Sequence, residues 1–232
     1  MAGRSAQAKS YMWVQMTQAS GIHGTGPPIR LFGYSPSRST QAARTLYEGM
    51  RPGGVLMSDG YEPYAAIAQQ HQLVHLGCWA HCRRYFERAQ AAEPQAVGEA
   101  LALIGALYRH EQLIRDQTLE GEEKLAYRSE HSEPIVRAFR AWCEGQCQRG
   151  DLVPSNPLAK ALAYARERQS RLQVFLANPE VPIDTNHLER ALRPIPILAR
   201  EEAVVNALLH DPLGVDAEAT HDHRLRHVDE LG

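Results

Sequence analysis

Apolar and polar positions follow two different rhythms along this chain of 232 residues. Up to Gly77, short apolar runs alternate with Gly-, Pro- and Ser-rich stretches. Ser10 to Gln18 (SYMWVQMTQ) is rich in aromatic and β-branched residues and predicts a strand. GIHGTGPP, Gly21 to Pro28, predicts a turn, and Ile29 to Tyr34 a second strand able to close a hairpin. SPSRST supplies caps for a helix over about Gln41 to Met50, which Gly53 and Gly54 break. GVLMS then predicts a buried strand ending at Asp59-Gly60, followed by a helix over Tyr64 to Gln70 and a strand at Leu73 to Gly77. Strands and helices alternating at this spacing predict an α/β sheet.

From about Trp79 the rhythm becomes helical. Val97, Leu101, Ile104, Leu107, Tyr108 and Ile114 recur mostly three and four residues apart and mark one apolar face. Pro134 and Pro157 sit where a first-turn proline is tolerated, with Asn156 as a cap before the second. The helix after Pro134 is expected to bury Ile135, Phe139 and Trp142. The one after Pro157 offers Leu158, Leu162, Leu172 and Phe175. These stripes are read as core, so residues from about 93 to 178 are expected to form a mostly helical block projecting from the sheet.

Composition narrows the class without naming a chemistry. Hydrophobic residues make up 44%, ample for a packed core, and no run approaches the roughly 18 apolar residues of a membrane helix. The start, MAGRSAQAKSYMW, has no apolar stretch before a cleavage site, and four cysteines are too few for a disulfide framework. A reduced cytoplasm is therefore the expected compartment. With 25 Lys+Arg against 27 Asp+Glu, a nucleic-acid partner would have to be met by a local basic face.

Several residues could carry chemistry. Asp59 stands at the end of a predicted strand, where α/β folds place ligand-binding groups, and Ser-Asp-Gly is equally a turn. Glu189 lies in DTNHLERALRP, where Asn186 and Glu189 have the spacing of an N-cap and its carboxylate partner. Cys78 and His81 have C-x-x-H spacing; His75, Cys82, Cys143 and Cys147 are further soft ligands, and all four cysteines read equally as small buried residues. HDHRLRH, His221 to His227, reads as solvated. No Gly-rich phosphate loop, G-x-S-x-G or H-E-x-x-H occurs.

SYMWVQ, LFGYSPSRS, LMSDGYEPY, GCWAHCRRYF and IDTNHLERALRP, in that order, resemble the transposases of the insertion sequence 66 family. The likeness spans roughly Lys9 to Pro194. It implies a ribonuclease-H-like catalytic core of the Asp-Asp-Glu type interrupted by a mostly α-helical insertion. Residues 1–92 would be the first part of the core, 93–180 the insertion, 181–200 the end of the core with the glutamate helix, and 201–232 a divergent tail. Asp59 matches the family's second catalytic aspartate and Glu189 its catalytic glutamate; Cys78 and His81 match its C-x-x-H signature, read as structural support. The implied cofactor is Mg²⁺ or Mn²⁺ held by Asp59 and Glu189, since hard cations prefer oxygen; zinc is not expected. The implied partner is DNA, both transposon ends and target, with Arg38, Arg83, Arg84, Arg190 and Arg193 as candidate phosphate contacts. Self-association or association with an intact transposase is a further implied partnership.

Two departures shape the expectation. The resemblance calls for a first aspartate upstream of SYMWVQ, but no aspartate precedes Asp59, and Glu48, the only earlier acid, falls in a predicted helix. After Pro194 the sequence leaves the family pattern. The chain is therefore read as a transposase fragment, inactive as it stands, with the first strand of its sheet missing and the neighbouring edges exposed. Two alternatives stay open: a non-catalytic DNA-binding or regulatory partner of an intact transposase, and a small zinc-stabilised interaction domain built on Cys78, His81, Cys143 and Cys147.

Overall fold

The computed structural model describes residues 11–16, 29–50, 52–58, 63–186, 190 and 202–209. Strand β1 (Tyr11–Met16) pairs antiparallel with β2 (Arg30–Ser35), so Trp13 faces Gly33 and the expected hairpin partners meet. Helix α1 (Thr40–Leu46) starts where Ser39 accepts the Ala42 amide N–H through its side chain, at 3.2 Å. Strand β3 (Val55–Ser58), helix α2 (Pro63–Gln70) and strand β4 (Val74–Gly77) follow, with β3 and β4 parallel.

The period of two along β1 and β3 sorts their side chains into two cores. Trp13 and Leu56 join Ala43, Tyr47, Tyr64 and Ile67 under α1 and α2. There the Tyr64 ring meets Trp13 and Tyr47 edge-on, at 6.5 and 5.9 Å between centroids. Val14, Met16, Val55 and Met57 point the other way, into the larger core with Trp79, Phe86, Leu107 and Phe139.

That larger core belongs to the helices: α3 (Trp79–Ala89), α4 (Pro94–Asp116), α5 (Gly121–Tyr127), α6 (Glu133–Cys147), α7 (Pro157–Glu167) and α8 (Gln169–Gln173). A π-turn at Arg128–Ser132 joins α5 to α6, and a 3₁₀ turn at Val174–Leu176 follows α8. Prolines 94, 134 and 157 all stand in first turns, and the Asn156 side chain accepts the Leu158 N–H at 2.8 Å. The stripe on α4 is buried at Val97, Ile104, Leu107 and Ile114, and only partly at Leu101 and Tyr108. On α6, Phe139 is buried with Val136 and Cys143, while Ile135 and Trp142 are partly covered. The helices do not project from the sheet as expected. Their apolar faces and one sheet face share a continuous core, because β1 and β3 leave that face apolar and in need of cover.

The larger correction concerns the tail. The sheet order is β2-β1-β5-β3-β4, with β5 (Glu202–Leu209) in the middle. Glu202–Val205 run parallel to Tyr11–Val14, and Asn206–Leu209 run antiparallel to Val55–Ser58. The edges expected to be exposed are thus covered by residues assigned to a tail outside the core. Buried strand edges require backbone partners, and EAVVNALL is apolar enough to supply them from within the sheet. Among the described residues no helix is long and apolar enough to cross a membrane.

Candidate functional site

Asp59, Glu189 and Arg193, and the His221–His227 motif, lie outside the described residues. The structure does describe the elements that lead to the two acids. Ser58, the residue before Asp59, ends β3 and pairs with Gly77 at the end of parallel β4. The next residue, Cys78, occupies the N-cap position of α3. Its Sγ lies 3.4 Å from the Thr185 hydroxyl, and the neighbouring Trp79 amide donates to the Ile183 carbonyl at 3.1 Å. Asn186, one residue on, is helical, and Glu189 follows three residues later in the sequence. Three sequence-distant segments therefore meet in a line: the end of β3, the C-x-x-H start of α3, and Ile183–Asn186.

The local chemistry of that last segment differs from the expected cap. Asn186 is helical rather than capping. The acceptor is Asp184, whose carboxylate takes the Asn186 backbone N–H at 2.9 Å and its side-chain amide at 2.5 Å. Asp184 is 9% exposed and Thr185 fully buried. Burial foremost, and then the Asp184 charge, hold the Tyr108 phenol above its usual range. Asp-Thr-Asn ahead of an apolar helix was the sequence signal that Asp184 could be the turn-forming residue.

An arginine fixes the approach to this segment. Arg128 is fully buried, and all five of its N–H donors are met. Nε and Nη2 hold the Glu111 carboxylate, each at 2.8 Å, while the remaining donors reach the carbonyls of Phe175, Asn178 and Val181 at 2.7, 3.0 and 3.1 Å. The π-turn that begins at Arg128 thus grips the stretch just before Ile183. Nothing in RSEHS at the sequence level marked this residue.

On the other side of Gly77, His75 Nε2 lies 2.9 Å from the Ser58 hydroxyl. Burial foremost, then the charges of Arg171 and Arg168, lowers the His75 pKa to about 4, which keeps the ring neutral at ordinary pH.

The candidate phosphate contacts divide. Arg83 is engaged with Glu87 at 2.7 Å, an exposed pair one helical turn apart. Arg84 donates to His81 Nε2 at 3.3 Å, so the two act as one unit on α3. Arg190 is exposed and donates to the Asn186 carbonyl at 3.3 Å. Arg38 is half-buried just ahead of α1.

The cysteine set of the zinc alternative does not assemble. Cys78, Cys82 and Cys143 are buried and Cys147 is exposed. Desolvation raises the thiols of Cys78 and Cys82 and pushes Cys143 up to about 12, away from the thiolate that metal binding needs. Among the described residues, no three His, Cys, Asp or Glu side chains come together as ligands. The soft donors do not suit a hard cation; the hard oxygen donors Asp59 and Glu189 do.

The described residues form a mixed α/β sheet with helices layered on it. The comparison with known families makes this particular. The Transposase IS66 family matches residues 1–206, and the chain belongs to that family. The match runs past Pro194 into β5, further than the resemblance by motif. Three relatives from Sinorhizobium fredii are similar at the level of whole sequences. Uncharacterized protein y4qI is 27% identical over 201 residues, covering 83% of this chain and 36% of that protein. Uncharacterized protein y4jD is 26% identical over 211 residues, 88% of this chain and 40% of that protein. Uncharacterized protein y4hP is 28% identical over 199 residues, 79% of this chain and 35% of that protein. The chain thus spans well under half the length of these relatives. No solved structure matches it.

Proposed function

We propose that this chain is a DNA-binding transposase segment with a ribonuclease-H-like core, and that it does not itself cut or join DNA. The observation that carries the reading is the line from Ser58 through Gly77 and Cys78 to Thr185 and Asn186. It brings the strand before Asp59 and the turn before Glu189 to a common neighbour, though they are far apart in sequence. C-x-x-H then acts as support: Cys78 holds Thr185, and His81 takes a hydrogen bond from Arg84.

In the reaction of the family, water attacks a phosphodiester phosphorus, and the bond to the 3′ oxygen breaks. That freed 3′ hydroxyl then attacks a phosphorus of target DNA and displaces the target strand's own 3′ oxygen. A divalent metal, which the family implies, would be held by Asp59 and Glu189 and would stabilise charge on the attacking and leaving oxygens. Arg84, Arg190 and Arg38 would neutralise DNA phosphates and set the strand's position, with Arg193 beside them in sequence. Asp184 accepts from the Asn186 backbone and side-chain amides and so holds the segment that precedes Glu189 in the sequence.

One feature supports inactivity. The strand paired between β1 and β3 carries Val204, Val205 and Asn206 at its centre, with its single acid, Glu202, at its first position. Loss of one correctly placed catalytic group commonly costs about 10²-fold or more.

The test mixes the purified chain with Mg²⁺ or Mn²⁺ and DNA carrying the element's ends. Salt-sensitive DNA binding without 3′ nicks or strand-transfer products is the expected result. Metal-dependent nicking that disappears in Asp59→Ala would overturn the inactive reading. Absence of DNA binding at low salt would overturn the binding role.

A further inference from the structure

Two arginines outside the candidate phosphate contacts gather where α7 meets α8. Arg168 follows the last residue of α7, and Arg171 lies three residues further, inside α8. The Arg168 guanidinium lies 4.2 Å from the centre of the Tyr164 ring, and its Nη1 donates to Glu167 Oε2 at 3.0 Å. Tyr85 of α3 stacks on the same ring at 4.1 Å and 20°. Two groups so close to one ring centre must take its opposite faces. Arg88 in turn lies 5.4 Å over the Tyr85 ring. A stack spanning α3 and α7 therefore fixes the position of Arg168.

Arg171 is placed differently. It is half-buried, and no carboxylate among the described residues pairs with it. Burial, and then the charge of Arg168, holds its pKa below the ordinary arginine value. Its neighbour Leu172 anchors it to the sheet: the Leu172 carbonyl accepts the Trp79 indole N–H at 2.9 Å, and the side chain packs against Gly77. The charges of both arginines also reach His75, which lies within hydrogen-bond distance of Ser58, the residue before Asp59. Two cations thus stand beside the ends of β3 and β4, and among the described residues only Arg168 has a carboxylate partner. An anion bound there would offset the repulsion between the guanidinium groups and the cost of half-burying one of them.

We propose that Arg168 and Arg171 form a phosphate-binding site that holds a DNA phosphodiester beside the end of β3. This rests on the DNA-binding reading above and extends it from the sheet onto the helices. The two non-bridging oxygens of a phosphodiester match the paired N–H donors of a planar guanidinium. Arg168, fixed by its stack, supplies a donor in a set position, and Arg171 supplies the second positive charge.

The test uses the full chain and two probes. Fluorescence anisotropy follows a labelled DNA duplex across a salt series. Nuclear magnetic resonance follows the Arg168–Leu172 amides and the Trp79 indole during titration with inorganic phosphate alone. Arg171→Gln is expected to bind DNA more weakly and to reduce the slope of log affinity against log salt by about 1, the share of one phosphate contact. Arg171→Lys, which keeps the charge, should retain that slope. Arg140→Gln, whose charge is already paired with Glu144 at 2.9 Å, should leave it unchanged. DNA binding with the parent slope in Arg171→Gln would overturn the site and leave the DNA reading standing. If the parent chain bound no DNA, yet phosphate moved the Arg168–Leu172 signals only while Arg171 was present, the phosphodiester assignment would fall in favour of a free phosphate. No response to either probe would sink both readings. An unchanged helical circular dichroism signal guards against misfolded variants.

Discussion

On the helical side of the molecule, Arg128 alone ties α4, the π-turn and the Phe175–Val181 stretch through five satisfied donors. In the sheet, two half-sheets depend on one strand that gives each of them four residue pairs. The contrast is between side-chain interlocking within one layer and backbone pairing that must be recruited from the end of the sequence. The first gathers three segments on one buried side chain. The second has a single member whose loss separates its neighbours. The C-x-x-H motif lies where the two meet, at the end of β4 and the start of α3.

Breaking the clamp gives the largest expected effect. Arg128→Ala leaves Glu111 buried and unpaired and should cost about 3–5 kcal/mol in denaturant unfolding. Replacing both partners, Arg128→Met with Glu111→Leu, should recover much of that loss. A cost for Arg128→Ala below about 1 kcal/mol, the range of an exposed pair, would show that the helical layer does not depend on it.

The seam between the regions comes next. A Cβ added at Gly77 would lie 3.0 Å from Leu172 Cδ2, 3.1 Å from its Cγ and 3.2 Å from its backbone nitrogen. Gly77→Ala should therefore destabilise by about 1–3 kcal/mol. Leu172→Ala should relieve part of this, so a double-mutant cycle would be non-additive. Additive losses would mean that β4 and α8 do not press on each other.

His75 makes the same seam sensitive to pH. Its folded pKa is depressed from 6.5 to about 4, so the unfolded chain takes up the proton first. Its contribution is whole above about pH 6.5 and fades as pH falls toward 4, a loss on the order of 1–3 kcal/mol. Stability of His75→Gln should fall less steeply across that window. Parallel pH profiles for the two proteins would remove His75 as the source.

The smallest effect belongs to a helix end far from the sheet. Asn156→Ala removes the side-chain acceptor for the Leu158 N–H and should cost about 1 kcal/mol. Asn156→Ser, which keeps an acceptor there without setting a second carboxylate against Glu93, should lose less than Asn156→Ala in the same thermal unfolding experiment. Equal losses in the two variants would place the role of Asn156 elsewhere, in its hydrogen bond to Glu93.

Local pattern determined the elements of this protein. Ser39 and Asn156 cap the helices they precede, Pro134 and Pro157 open first turns, and the stripe from Val97 to Ile114 faces the core. Each follows from spacing or from a side chain reaching its own backbone two or three residues away. The family was legible in a different way, from five motifs standing in one order. Tertiary structure alone decided three things. It placed Glu202–Leu209 at the centre of the sheet, because a buried edge takes whichever apolar strand can reach it, and reach is not written in local sequence. It buried Arg128, because five acceptors converged there from α4 and from the Phe175–Val181 stretch. It set Cys78 against Thr185 across a separation of 107 residues. Periodicity reports which side of an element is buried; which distant element buries it depends on how the whole chain closes.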